Sequence, residues 1–126
     1  MYRAIIIDDE LISVNILKIL IEKHIPNSIS VVATATEPET GIKLIDDYKP
    51  DVVFLDISMP KMNGLELLEK LKYKDFKLIF TTAHEEYVVK AIKNKPYNYL
   101  LKPIDIDELK QCVTSFAFLL LCTLFQ

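Results

Sequence analysis

Five short, mostly apolar runs punctuate the chain, at residues 4–7, 29–35, 52–55, 78–81 and 99–101, and their bulky residues fall on consecutive positions. A strand with one face in water would alternate apolar and polar residues. Consecutive apolar positions instead describe strands covered on both faces, the pattern of a parallel sheet under helices. The runs begin about 21 to 26 residues apart, which leaves room for a helical crossover between each pair. The expectation is an open, doubly wound α/β fold with a five-stranded parallel sheet and right-handed crossovers.

The intervening segments carry helical periodicity. Residues 11–24 place Val14, Leu17 and Ile21 on one side, with Lys18, Glu22 and Lys23 able to face water, and the segment ends before Pro26. Thr36 or Glu37 before Pro38 announces a second helix, with Ile42, Leu44 and Ile45 as its apolar side and a stop near Lys49-Pro50. A third is expected over 64–73, from Leu65, Leu68 and Leu71, and a fourth over 85–94, from Val88, Val89 and Ile92, ending before Pro96. Asp105 or Asp107 starts a fifth.

Composition narrows the function classes. With 126 residues and 51% hydrophobic content the chain suits one domain, and a net charge of −3 without any long Lys/Arg cluster argues against nucleic-acid binding by this segment. Residues 1–7 are too short an apolar stretch for a signal peptide, and Asp8, Asp9 and Glu10 follow at once, so a cytoplasmic location is expected. Cys112 and Cys122 lack metal-site spacing and read as free, buried thiols.

Polar residues gather at one end of the expected sheet: Asp8 and Asp9 after strand one, Asp56 after strand three, Thr82 after strand four and Lys102 after strand five. Open α/β sheets bind ligands outside those carboxyl ends, where the strand order reverses; for the flavodoxin-like order 2-1-3-4-5 that is between strands one and three. Two like charges ~4 Å apart repel by ~4 kcal/mol at an effective dielectric near 20, so three carboxylates in one crevice call for a cation. Lys102 alone does not neutralise them. An all-oxygen donor set without paired His or Cys favours Mg²⁺ over zinc. A carboxylate beside Mg²⁺ can also act as a nucleophile toward phosphorus, with Asp56 in that role and Mg²⁺, the Lys102 ammonium and the Thr82 hydroxyl each taking a phosphoryl oxygen. Taken singly, each aspartate is about as well explained as a turn or cap residue, Thr82 as a capping hydroxyl and Lys102 as a solvated charge. The conjunction carries the inference. His24 reads as a surface residue, and His84 as an exposed loop residue at the crevice rim.

At these residues the sequence strongly resembles the receiver domains of two-component response regulators. The resemblance runs from about Tyr2 to Val113 and rests on residues 5–10 (IIIDDE), 51–60 (DVVFLDISMP) with Asn63-Gly64, 80–83 (FTTA) and 99–103 (YLLKP). It implies that Asp56 is the phosphoacceptor, that Asp9 binds Mg²⁺ directly and Asp8 through water, and that the Ser58 main-chain carbonyl completes the protein ligands. Thr82 and Lys102 would bind the phosphoryl group, and Lys102-Pro103 would be a cis peptide. The implied donor is a sensor histidine kinase. The implied switch is movement of Thr82 toward the phosphoryl group and inward rotation of Tyr99, otherwise a plain core aromatic. That movement would remodel the face formed by the fourth helix, fifth strand and fifth helix, which is also the expected homodimer surface. Such a protein is a signalling switch with self-catalysed phosphoryl transfer and dephosphorylation rather than a turnover enzyme. Residues 82–87 and 97–103 look most like receivers attached to LytTR-type DNA-binding domains, and no such output domain lies within these residues.

Residues 114–126 depart from the family: the run is uncharged, mostly Phe, Leu and Cys, and shorter than the roughly 20 residues that span a bilayer. It reads either as a fifth-helix extension making a dimer contact or as foreign sequence appended to a domain of residues 1–113. An aspartyl-phosphate phosphatase would want an acid where Ser58 stands, and an FMN carrier would want a Ser/Thr/Gly-rich loop where Asp8-Asp9-Glu10 stand. The remaining alternative is an unphosphorylated pseudo-receiver serving as an interaction module, although such proteins usually lose an acid or the lysine.

Overall fold

The structure is a computed structural model that describes residues 1–84, 86 and 98–114. The expected fourth helix, Cys122 and all of the apolar tail after Thr114 lie outside the described residues. Five parallel strands, β1 (Tyr2–Ile7), β2 (Ile29–Ala35), β3 (Val52–Asp56), β4 (Lys77–Thr82) and β5 (Asn98–Leu101), form one sheet in the order β2-β1-β3-β4-β5. Each expected apolar run is one of these strands, and the strand order is the expected flavodoxin-like one.

Both faces of the sheet are covered, which is why the runs do not alternate. Ala4, Ile6, Val52, Phe54 and Ile79 point to one face and pack with Val14, Leu17 and Ile21 of α1 (Leu11–His24) and with Leu109, Cys112 and Val113 of the helix over residues 106–114. Ile5, Ile7, Val53, Leu55 and Phe80 point to the other. There they meet Ile45 of α2 (Pro38–Tyr48) and Leu67 of α3 (Gly64–Glu69). Burial pushes the Cys112 thiol up to about 11, as expected of a free, inert cysteine.

Local chemistry sets the helix ends. Pro38 occupies the first turn of α2, and Lys49 ends it in the left-handed region (φ 48°), its N–H donating to Ile45 O at 2.9 Å. Asp105, the first of the two expected caps, accepts from Glu108 N–H at 3.0 Å and starts the last helix. The third helix is shorter than its periodicity predicts, stopping at Glu69 instead of residue 73. The Asp46 carboxylate accounts for the difference: one oxygen accepts from the N–H groups of Lys72 (3.1 Å) and Tyr73 (2.9 Å), which leaves those donors outside the helical ladder.

The Asn63-Gly64 pair has a steric explanation. Asn63 caps α3, its side-chain oxygen accepting from Glu66 N–H at 2.9 Å. Gly64 lies directly under the end of β3: a Cβ there would fall 2.8 Å from Asp56 O and 3.1 Å from Ile57 Cα, both backbone atoms that cannot swing away. Asn63→Ala is expected to cost about 1 kcal/mol through the lost cap. Gly64→Ala is expected to cost more, about 1 to 3 kcal/mol by overpacking, and to displace Asp56. Urea unfolding of the two variants checks the order.

Candidate functional site

Every residue singled out at the strand ends arrives at the same edge of the sheet. Asp8 follows β1, Asp56 closes β3, Thr82 closes β4 and Lys102 follows β5. Since β1 and β3 are neighbours, Asp8 and Asp9 sit directly across from Asp56. Asp8, Asp9 and Asp56 each offer a carboxylate oxygen, and these oxygens lie within 4.8 Å of one another.

Lys102 reaches into this cluster, with Nζ 2.6 Å from Asp8 Oδ2 and 3.4 Å from Asp56 Oδ2. Asp8 and Asp56 are each only 3% exposed, so the contacts form where solvent screens little. The other oxygens are held by backbone donors: Asp8 Oδ1 accepts from Glu10 N–H and Asp56 Oδ1 from Ser58 N–H, both at 3.0 Å. Asp9 is half-buried at the mouth.

The charges do not balance. Burial, more than any other influence, pushes the Asp56 carboxyl up to about 6. The Ser58 N–H opposes the rise, Asp8 adds to it, Lys102 opposes it, and Asp9 adds again. For Lys102, burial would lower the ammonium pKa, but the hydrogen bond to Asp8 and the charges of Asp56 and Asp8 outweigh it and raise it. The lysine therefore stays charged while Asp56 remains short of positive charge. The oxygen-only donor set and this deficit fit a hard divalent cation.

Thr82 is fully buried, and its hydroxyl does not engage Asp56. It donates to His84 O (3.4 Å) and accepts from His84 N–H (3.1 Å), while its own carbonyl accepts from Lys102 N–H at 2.7 Å. The Lys102-Pro103 peptide is cis, as the resemblance implied. Ser58 is exposed beside Asp56. His84 is exposed and 3.7 Å from Glu86, at the rim as expected. Tyr99 is 45% exposed on β5, so it is not a core aromatic in this state. Lys61, which sequence reasoning did not single out, pairs with Glu37 at 3.1 Å across a small cleft that Asp9 also lines. Their positions next to Pro60 and Pro38, on the loops after β3 and β2, were the available signal.

The family model for the response regulator receiver domain matches residues 4–114. The chain belongs to that family. An uncharacterised response regulatory protein of Vibrio cholerae is 38% identical over 114 residues, covering 90% of this chain and 47% of the relative. The transcriptional regulatory protein BtsR of Escherichia coli is 34% identical over 113 residues, covering 88% and 46%. The chain thus spans about half the length of these relatives. Among solved structures, the REC domain of AraT, a response regulator from Geobacillus stearothermophilus, superposes with a TM-score of 0.79 at 33% identity, covering 90% of this chain and 91% of that one. Among the described residues of this receiver, no helix is long and apolar enough to cross a membrane.

The raised Asp56 pKa has a signed consequence. A carboxyl raised from 3.8 to about 6 in the folded state favours the fold below the lower value, and that contribution is lost as pH rises through about 6. In metal-free protein, Asp56→Asn is therefore expected to stabilise at pH 7, by at most about 2 to 3 kcal/mol. The gain should shrink as pH falls toward 5. Thermal unfolding of both proteins at the two pH values, in chelator, checks it.

Proposed function

We propose that this receiver is a cytoplasmic, Mg²⁺-dependent phosphorylation switch that takes a phosphoryl group from a sensor histidine kinase onto Asp56. One arrangement carries the reading: a lysine ammonium bridging two buried carboxylates beside a third, in a family defined by its receiver fold. Asp9, half-buried at the mouth, would hold the metal directly together with Asp56 and the Ser58 carbonyl. Asp8, whose two oxygens already accept from Glu10 N–H and Lys102, would hold the ion through water. When bound, the ion supplies the positive charge that keeps Asp56 ionised at neutral pH and neutralises a phosphoryl oxygen.

The chain's own residues do the rest. An Asp56 oxygen attacks phosphorus, the bond to the donor breaks, and the donor imidazole leaves with the electron pair, giving an acyl phosphate. Lys102 needs only a short movement to follow the new charge from Asp56 to a phosphoryl oxygen. The Thr82 hydroxyl reaches the same group after exchanging its partners on His84. Its movement clears space for Tyr99 to turn inward. The face read out comprises the segment before β5, β5 itself and the helix over residues 106–114, and it doubles as a homodimer surface in the phosphorylated state. Hydrolysis of the acyl phosphate on the same residues resets the switch, so the domain signals rather than turns over a separate substrate. Because BtsR is named a transcriptional regulatory protein and the chain spans about half of it, transcription control through a missing, LytTR-type DNA-binding domain is the output we assign.

Incubation with acetyl phosphate and Mg²⁺, followed by intact mass, is expected to show one phosphoryl adduct that is absent in chelator and in Asp56→Ala. Lys102→Met should slow adduct formation by roughly 10²-fold. An adduct that persists in Asp56→Ala overturns the assignment.

A further inference from the structure

Of the asparagines in the chain, only Asn63 is followed by glycine. With no side chain on Gly64, nothing shields its backbone nitrogen from the neighbouring carboxamide. Asparagine is among the thermolabile residues, and in a flexible chain the Asn-Gly step deamidates most readily of all. This step lies beneath Asp56, in the connection between β3 and α3, where a change in the backbone is felt at the acidic cluster.

Three contacts hold the step out of reach of that reaction. The Gly64 N–H, which must lose its proton and attack, donates to Ile57 O at 2.9 Å. The Asn63 side-chain oxygen is held over the first turn of α3 by Glu66 N–H, also at 2.9 Å. Gly64 is packed under β3 so closely that a Cβ would fall 2.8 Å from Asp56 O. The backbone angle adds a fourth obstacle. To close a five-membered ring, the Gly64 nitrogen must nearly eclipse Asn63 Cβ, at ψ about −120°, outside the allowed regions. Asn63 stands at ψ 167°, so the bond must turn by roughly 70° and carry the Gly64 N–H off Ile57 O. All of this depends on α3 staying docked. The helix spans only Gly64–Glu69, and Leu67 is its one buried side chain. A helix so short is held by packing rather than by its own ladder, which makes its start a place of local opening.

We propose that Asn63-Gly64 is a conditional modification site, closed in the docked loop and deamidated when that loop lifts away from β3. In the open loop the Gly64 nitrogen gives its proton to solvent base and bonds to Asn63 Cγ. The Cγ–Nδ2 bond breaks, and ammonia leaves with a proton from water. Water then opens the cyclic imide at one of its two carbonyl carbons. Opening at Cγ gives aspartate, whose carboxylate still accepts from Glu66 N–H and suits a helix start. Opening at the main-chain carbon gives isoaspartate, in which the chain runs through Cβ and is one carbon longer. That product loses the cap and shifts Gly64 away from Ile57 O. The step thus records past opening beneath Asp56 in covalent form. This inference does not rest on phosphorylation of Asp56.

Incubation of the full chain in mildly alkaline buffer, folded and in guanidinium chloride, tests it, with peptide mapping that separates aspartate from isoaspartate. Asn63 is expected to convert more slowly in the folded protein by roughly tenfold or more. Leu67→Ala, which loosens α3 without touching the step, should raise the folded rate by roughly tenfold. Far-UV circular dichroism reports whether that variant folds, and Leu68→Ala, at a half-buried position, replaces it if it does not. Asn63→Asp, the tolerated product, should resist urea at least as well as wild type. Equal rates in folded and unfolded protein overturn the proposal, because the loop then guards nothing. So does a folded rate indifferent to loosening α3, and so does an Asn63→Asp protein that unfolds at lower urea.

Discussion

The Lys102 ammonium, held between Asp8 and Asp56, is the contact around which the functional end of this domain is organised. It ties the ends of β1, β3 and β5, which are far apart in the chain, and both carboxylates it touches are buried. Removing one partner of such a contact leaves an uncompensated charge where water cannot screen it. The lysine is itself fixed from behind, its N–H donating to the carbonyl of Thr82 at the end of β4. Four strand ends are therefore joined through one residue. The order β2-β1-β3-β4-β5 makes this possible, because it puts β1 beside β3 and leaves β5 beside β4.

The same contact explains why the site could hold a further cation. A single ammonium faces three carboxylates, and it stands closer to Asp8 than to Asp56. Asp56 is left with the larger share of the uncompensated burial, and its pKa rises to about 6. A group in that condition gains from any added positive charge. Under the proposed function a divalent ion would supply it at rest. In the proposed switch phosphorylation would raise the demand, since a phosphoryl group brings about −1.5 to −2 charges at neutral pH. A site under-neutralised at rest would thus draw positive charge inward when the anion arrives.

Much of this was legible in the sequence because it follows from short-range pattern. Consecutive apolar positions marked all five strands, the Val14, Leu17, Ile21 spacing marked α1 from residue 11 to 24, and the polar residues at the strand ends converge as expected. What escaped the sequence depends on partners distant in the chain. The third helix ends early because Asp46, 26 residues before Lys72, captures backbone donors that periodicity assigned to the helix. The exposed aliphatics of α1 escaped for a different reason: only the packed domain reveals which of them are left outside the core.

The position of Thr82 decides how sharply the proposed switch responds. Its hydroxyl is fully buried and already makes two hydrogen bonds to the backbone of His84, so it is not an idle donor waiting for a ligand. Moving it toward Asp56 breaks both unless the loop follows. A neutral hydrogen bond contributes about 0.5 to 1.5 kcal/mol net, whereas one to a charged group contributes about 1.5 to 3 kcal/mol. Exchanging the first kind for the second is a near balance, settled by whether a phosphoryl oxygen is present. Thr82 thereby couples the chemistry at Asp56 to the loop after β4, and it does so with a free-energy difference small enough for one phosphoryl group to reverse.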